Sequence, residues 1–329
     1  MKKIIKISLV SMLVFGLLSS TALGFSSAIK SENKYEVSID EFFTPTPEYS
    51  YEEIREMQAL DPDAVSYNEF DRILEQKNEA KKIIQSKNAT KVELAEANEI
   101  LEFDPAKQVY EYQTKSDTEL QNLGLDSRRI AIIRAFRGTS AELKALGSTC
   151  TISGTPSYAK NVTGYWAKTV MSFSWSGAPF WTFKDAMLGS ASASFLVERV
   201  DDTKCTVQYR TTSYPHGTSY SLNSGKNSMM INPFSGHLVQ GFSYDAVRRT
   251  VNADGQVVNH YAMSGTATFV YRSNSQNRVG MSYGHAHGKL GMNVSAGIEF
   301  SSSGASVSFG LNPSKYEHII AKAFSTYSY

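Results

Sequence analysis

The hydrophobic period of the chain changes once, near Gly147. From Ser50 to about Leu146, apolar residues recur at helical spacing: Phe70, Ile73, Leu74 and Ile84, then Leu94, Ala97 and Leu101, then Ile130, Ile133 and Phe136. This stretch is punctuated by Ser or Thr residues followed three positions later by Glu: Ser50/Glu53, Ser66/Glu69, Thr90/Glu93, Ser116/Glu119 and Thr139/Glu142. Such a pair forms a capping box, in which hydroxyl and carboxylate satisfy amides that the first helical turn leaves open. Asp104-Pro105 marks a further start, because the first turn does not use the amide that proline lacks. Gly124, Gly138 and Gly147 fall where helices should end. The pattern predicts five to seven short helices within 50–147, the longest over 66–87. Residues 29–49, with Phe-Phe-Thr-Pro-Thr-Pro at 42–47, read as an extended lead-in.

After Gly147 the period is two. Ala167, Thr169, Met171, Phe173 and Trp175 alternate with Lys168, Val170, Ser172 and Ser174. Ala191, Ala193, Phe195 and Val197 repeat the pattern, and Asp201-Asp202-Thr203-Lys204 turns the chain into Cys205, Val207 and Tyr209. Asp254-Gly255 joins arms at 242–251 and 257–271. A last hairpin sets Leu290, Met292, Val294, Ala296, Ile298 and Phe300 on one face, turns at 302–304, and returns through Ala305, Val307, Phe309 and Leu311. Eight to ten strands with short turns predict an α+β chain with segregated domains. A short-helix N-terminal region precedes an all-β antiparallel sandwich over 148–329, with a barrel as the alternative.

The first residues set a compartment. Lys2, Lys3 and Lys6 precede an apolar run from Ile7 to Leu18, followed by small residues, so 1–28 reads as a secretory signal cleaved between 24 and 28. The expected product is secreted and extracellular. Export predicts a disulfide between Cys150 and Cys205, the only two cysteines among the 329 residues.

Composition is globular, with 20% charged and 41% hydrophobic residues and a formal net charge of +1. That neutrality is a cancellation. Residues 25–147 hold 16 Lys+Arg and 24 Asp+Glu, whereas 148–329 hold 14 and 8. An acidic helical half and a basic β half predict that the two dock or shield one another. Fourteen basic residues spread over the β half form no dense patch, which excludes nucleic acid as a partner.

Three constellations carry candidate chemistry. His285 and His287 lie two apart on a strand, on one face and about 6.6 Å apart, which suits two metal ligands. Trp166, Trp175 and Trp181 fall within sixteen residues, as rings for stacking on a glycan or sitting in a membrane interface. The alternating arms of 290–311 match a bilayer-crossing hairpin. The Gly-x-Ser-x-Gly, His-Glu-x-x-His and phosphate-loop motifs are absent, and no cofactor is implied. A hydrolase would need carboxylates from Asp185, Glu198, Asp245 or Glu299. The reading is a non-enzymatic secreted protein whose β half binds a cell-envelope, glycan or membrane surface. A pore-forming or bacteriocin-like toxin with an acidic pro-region is the alternative, and a secreted hydrolase a second.

Overall fold

The computed structural model describes residues 35–191, 195–198, 200–211, 219–223, 228–234, 237–255, 257–274, 278–288, 298–303, 306–311, 317–323 and 327–328. The signal segment 1–28, the start of the lead-in and residues 289–297 of the last hairpin lie outside the described residues. The chain combines helices with antiparallel sheets and is mostly β.

The first part runs α1 (Ile39–Phe42), α2 (Tyr51–Leu60), β1 (Val65–Asn68), α3 (Glu69–Gln85), α4 (Lys91–Glu102), α5 (Pro105–Gln113), α6 (Asp117–Asn122), α7 (Ser127–Ala135) and α8 (Ser140–Leu146). Capping boxes form at Ser50/Glu53, Thr90/Glu93, Ser116/Glu119 and Thr139/Glu142, so local chemistry places α2, α4, α6 and α8. Gly124, just past α6, adopts φ +93°, which an L side chain resists. The helices share a core of Phe70, Ile73, Val109, Leu120, Ile133 and Leu146.

The box expected at Ser66/Glu69 does not form. Val65–Asn68 pair with Ile152–Thr149 as a strand, and Asn68 caps the helix through its side chain, which accepts from the Phe70 amide. The longest helix therefore begins at Glu69 rather than 66. A backbone ladder to a distant strand outweighed a local cap, and the Glu69 side chain is left for other use.

The second part comprises β2 (Thr149–Asn161), β3 (Gly164–Trp175), β4 (Lys184–Ala191), β5 (Leu196–Val197), β6 (Cys205–Thr211), β7 (Ser219–Asn223), β8 (Ser228–Phe234) and β9 (His237–Asp245). It continues with β10 (Val247–Val251), β11 (Val257–Ser273), β12 (Arg278–Val279), β13 (Met281–Gly288), β14 (Ile298–Ser303), β15 (Ser306–Leu311), β16 (Glu317–Ala323) and β17 (Tyr327–Ser328). The larger sheet has the order β1-β2-β3-β11-β6-β7, with β5 and β10 also pairing β11. A five-stranded sheet has the order β16-β13-β4-β9-β8. The described sheets do not close into a barrel.

Period-two alternation explains which side chains share the main core. Met171, Phe173 and Trp175 of β3, Val207 and Tyr209 of β6, and Phe269 and Tyr271 of β11 join Met187, Phe242, Met281 and Tyr283 of the five-stranded sheet in one buried cluster. Each such aliphatic or aromatic side chain contributes about 1.5–3 kcal/mol by leaving water. The opposite face of the larger sheet is polar, with Lys168, Ser172, Ser174, Thr206, Arg210, Thr266 and Thr268, yet it too is buried.

The Cys150–Cys205 disulfide is not present; both cysteines are buried free thiols. Cys150 is on β2 and Cys205 on β6, with β3 and β11 between them. Three strand spacings amount to about 14 Å along the sheet, whereas a disulfide needs α-carbons about 6 Å apart. The register adds to this, since Cys150 faces Trp175 while Cys205 aligns through Ala267 with Met171.

Candidate functional site

A buried polar cluster forms where the first turn of α3 meets β4 and β13. Glu69 is the first residue of α3, directly after β1, and its side chain is fully buried. Its carboxylate accepts from the amides of Ser148 at 2.6 Å, Phe180 at 2.9 Å and Trp181 at 3.2 Å. It thereby orders the segment between β3 and β4, whose amides have no ladder to join.

His287 spans the gap between two carboxylates. Its Nδ1 donates to Asp185 Oδ1 at 2.7 Å and its Nε2 to Glu69 Oε1 at 3.0 Å. Burial disfavours the charged ring, but the Asp185 and Glu69 carboxylates outweigh that penalty and push His287 up to about 9. The ring is therefore an imidazolium at neutral pH. Trp175 flanks it at 4.8 Å between centroids and Trp181 at 6.5 Å.

His285, two residues back on the same strand, has the opposite character. Burial, with the neighbouring His287 charge, pulls it down to about 4 despite Asp185 Oδ2 at 3.7 Å from its Nε2. The Tyr244 hydroxyl lies 2.7 Å from Nε2, and the Tyr67 hydroxyl 3.3 Å from Nδ1. Cys150 Sγ is 3.8 Å from the same Nδ1. Burial pushes the Cys150 thiol up, which keeps it protonated and a poor nucleophile. A Cys-His contact of this kind has no local sequence signal, because 135 residues separate the two.

Trp175, Trp181, His285 and His287 are thus gathered in one place, together with Cys150. Trp166 is elsewhere, in a cluster with Phe42, Ala159 and Val270. All three tryptophans are buried, at 6%, 0% and 1% exposure in chain order, so their rings present no open face on which a glycan could stack. The two histidines do share a strand face, but their ring nitrogens meet carboxylate and hydroxyl oxygens at hydrogen-bond distance. Among the described residues no group of three or more His, Cys, Asp or Glu side chains is arranged to hold a metal ion. Asp185, a hydrolase candidate, has its Oδ1 occupied by His287 and is fully buried. Sequence reasoning missed Glu69, Asp185 as its counterpart, Tyr67 and Tyr244. The one available signal was a Glu assigned to a capping box that a strand displaced.

A second feature lies on the polar face of the larger sheet, which the N-terminal segment covers with polar contacts. Gln58 of α2 donates to the Thr151 carbonyl at 3.1 Å and accepts from Ser174 Oγ at 2.5 Å. The Tyr51 hydroxyl donates to the Trp175 carbonyl at 2.7 Å. Arg210 forms a two-pronged pair with Glu52, both arms at 3.0 Å, beneath the Tyr51 ring. Further along, Asp202 accepts from the Thr46 amide at 2.6 Å, while Lys168 donates to Asp202 and to the Phe42 carbonyl. Beside this strap a cleft of about 500 Å³ opens between Phe42, Pro45, Met57, Thr155, Lys168 and Ser172.

No family model matches the chain, and no curated protein matches its sequence. Solved structures give partial likenesses. The C-terminal domain of the Streptococcus agalactiae AgI/II polypeptide BspA superposes with TM-score 0.26 at 9% identity, over 42% of this chain and 52% of that one. Clostridium perfringens delta-toxin gives 0.19 at 8% identity, over 43% and 73%. A chain titled pore forming protein gives 0.20 at 4% identity, over 42% and 74%. The chain spans about half the length of the BspA domain it matches. Scores this low leave the functional reading to the residues of this chain.

Proposed function

We propose that this is an exported, non-enzymatic protein whose β half, two sheets stacked as a sandwich, binds a cell-envelope, glycan or membrane surface. The helical half and strap act as a cover docked on it. One observation carries the reading: a hydroxyl- and cation-bearing sheet face is buried largely by polar contacts, with an apolar patch of Phe42 on Trp166 and Val270 at one end. Uncovering an apolar face costs about 25 cal/mol per Å², whereas serines, threonines, Lys168 and Arg210 regain water when uncovered. A polar interface of this kind suits a surface that is covered in one state and available in another. The histidine cluster is separate from this face: its fully buried groups hold the helical half on the strands. The lysine-bearing start and apolar run of 1–28 support export.

The test is co-sedimentation of the secreted chain with purified cell walls, insoluble polysaccharides and lipid vesicles, before and after limited proteolysis. Binding that appears or strengthens after the N-terminal half is nicked is expected. A protein that stays in the supernatant with all three, nicked or intact, sinks the proposal.

A pore-forming reading has a separate observation in its favour: among the described residues β14 and β15 form a two-stranded sheet of their own, from Ile298↔Leu311 to Ser303↔Ser306. A two-stranded ribbon that joins no larger sheet has little stability of its own in water. Dye release from vesicles after nicking is the expected result, and intact vesicles throughout would remove this reading.

A further inference from the structure

We propose that the β2–β3 hairpin end of the larger sheet is a docking point for an anionic phospholipid surface. The inference deepens the surface-binding reading above and rests on it. Val162 stands at the tip of the loop Asn161–Gly164 and is fully exposed, at 104% of its reference area. Tight turns favour Gly, Asn, Asp and Pro, so a β-branched valine is poorly placed there for folding. Gly164, at φ +141°, closes the loop against the Ser273 carbonyl, where a Cβ would come within 2.5 Å.

Several polar groups of this tip are paired within the protein. Asn161 Oδ1 accepts from the Thr163 amide at 2.9 Å, from the Thr163 hydroxyl at 2.6 Å and from Trp166 Nε1 at 3.2 Å. The Thr163 carbonyl accepts from Arg272 Nη2 at 2.9 Å and Nε at 3.2 Å. Each polar group paired in this way lowers the cost of taking the tip out of water.

One half-buried ring, Tyr165, and two cations sit one step behind the tip, beside the buried Trp166. Tyr165 and Trp166 follow Gly164, with Lys160 over the Tyr165 ring at 4.9 Å and Arg272 over Trp166 at 5.4 Å. Leu196, 62% exposed, pairs with Arg272 on the neighbouring short strand and widens the apolar edge. Residues 159–166 contain no carboxylate. An apolar point, then a partly exposed ring, then cations is the order of a water–bilayer interface: acyl boundary, carbonyl belt, phosphate. The two cations select an anionic headgroup, and the depth limits the contact to the interface without a span.

The test uses the full secreted chain with vesicles of phosphatidylcholine alone and of phosphatidylcholine mixed with phosphatidylglycerol. Wild type is expected to co-sediment with the anionic vesicles and to be released by added salt. Val162→Asp should weaken this binding about tenfold or more, and Lys160→Glu severalfold, with unfolding midpoints unchanged because both side chains are exposed. Wild type and Val162→Asp binding anionic vesicles equally would overturn the hairpin assignment while leaving surface binding intact. Binding to cell walls but to neither vesicle would overturn the lipid assignment alone. Binding to nothing overturns both.

Discussion

Glu69 Oε1 lies 3.0 Å from His287 Nε2, joining residues 218 positions apart across the change of hydrophobic period. The contact is buried on both sides and continues through His287 to Asp185. It ties the helical segment to the strands with both side chains fully buried, and its removal has a definite expected effect.

Glu69→Gln should lower unfolding free energy by about 3 kcal/mol, since losing one partner of a buried ion pair typically costs 3–5. Glutamine keeps one acceptor oxygen, enough for the Phe180 amide and for either the Ser148 or the Trp181 amide, which holds the loss below that of Glu69→Ala. Denaturant unfolding of the two variants tests this ordering. Equal stability of wild type and Glu69→Gln would show that the pair contributes nothing.

Stability should peak between the two histidine transitions. His287 is raised to about 9, so its contribution is fully present below its unfolded value near 6.5 and is lost as pH rises through 9. His285 is lowered to about 4, so the folded state resists its protonation, and stability falls as pH drops from about 6.5 through 4. The expected curve of midpoint against pH is a dome with its top near neutrality. His287→Gln should flatten the alkaline side and, by removing the charge beside His285, also soften the acid side, as thermal melts from pH 4 to 10 would show.

Reduction should leave the intact mass unchanged, because Cys150 and Cys205 are free. Both thiols should resist alkylation in the native protein and react on denaturation. A native mass lower by two hydrogens than that of the reduced protein would contradict the register that separates them.

The strap should respond unequally to the two carboxylates that anchor it, Asp202 beneath it and Glu52 on α2. Asp202→Asn leaves Lys168, 6% exposed, without its charged partner and should cost about 2–3 kcal/mol, with faster amide exchange over 37–50. Glu52→Gln, at a half-exposed carboxylate, should cost under about 1 kcal/mol. Hydrogen exchange and unfolding on the same two proteins separate these effects.

Much of this was legible in residue order. Period and caps placed α2, α4, α6 and α8, because a hydroxyl and a carboxylate three residues apart act within one helical turn and need nothing distant. Alternation sorted Met171, Phe173 and Trp175 onto one face of β3, since a strand turns each successive side chain over wherever it sits. The charge asymmetry of the two halves could also be read by counting. The longer reach could not. Ser66 and Glu69 satisfied a local rule, yet Val65–Asn68 gained a strand partner near residue 150, and the freed carboxylate found His287. The same dependence on register parted Cys150 from Cys205 and set Cys150 beside His285. It also enclosed rings that exposure alone would have made a binding face. Local preference is decided within a few residues of chain, whereas burial and pairing are decided by which strands become neighbours; only the tertiary structure makes that choice.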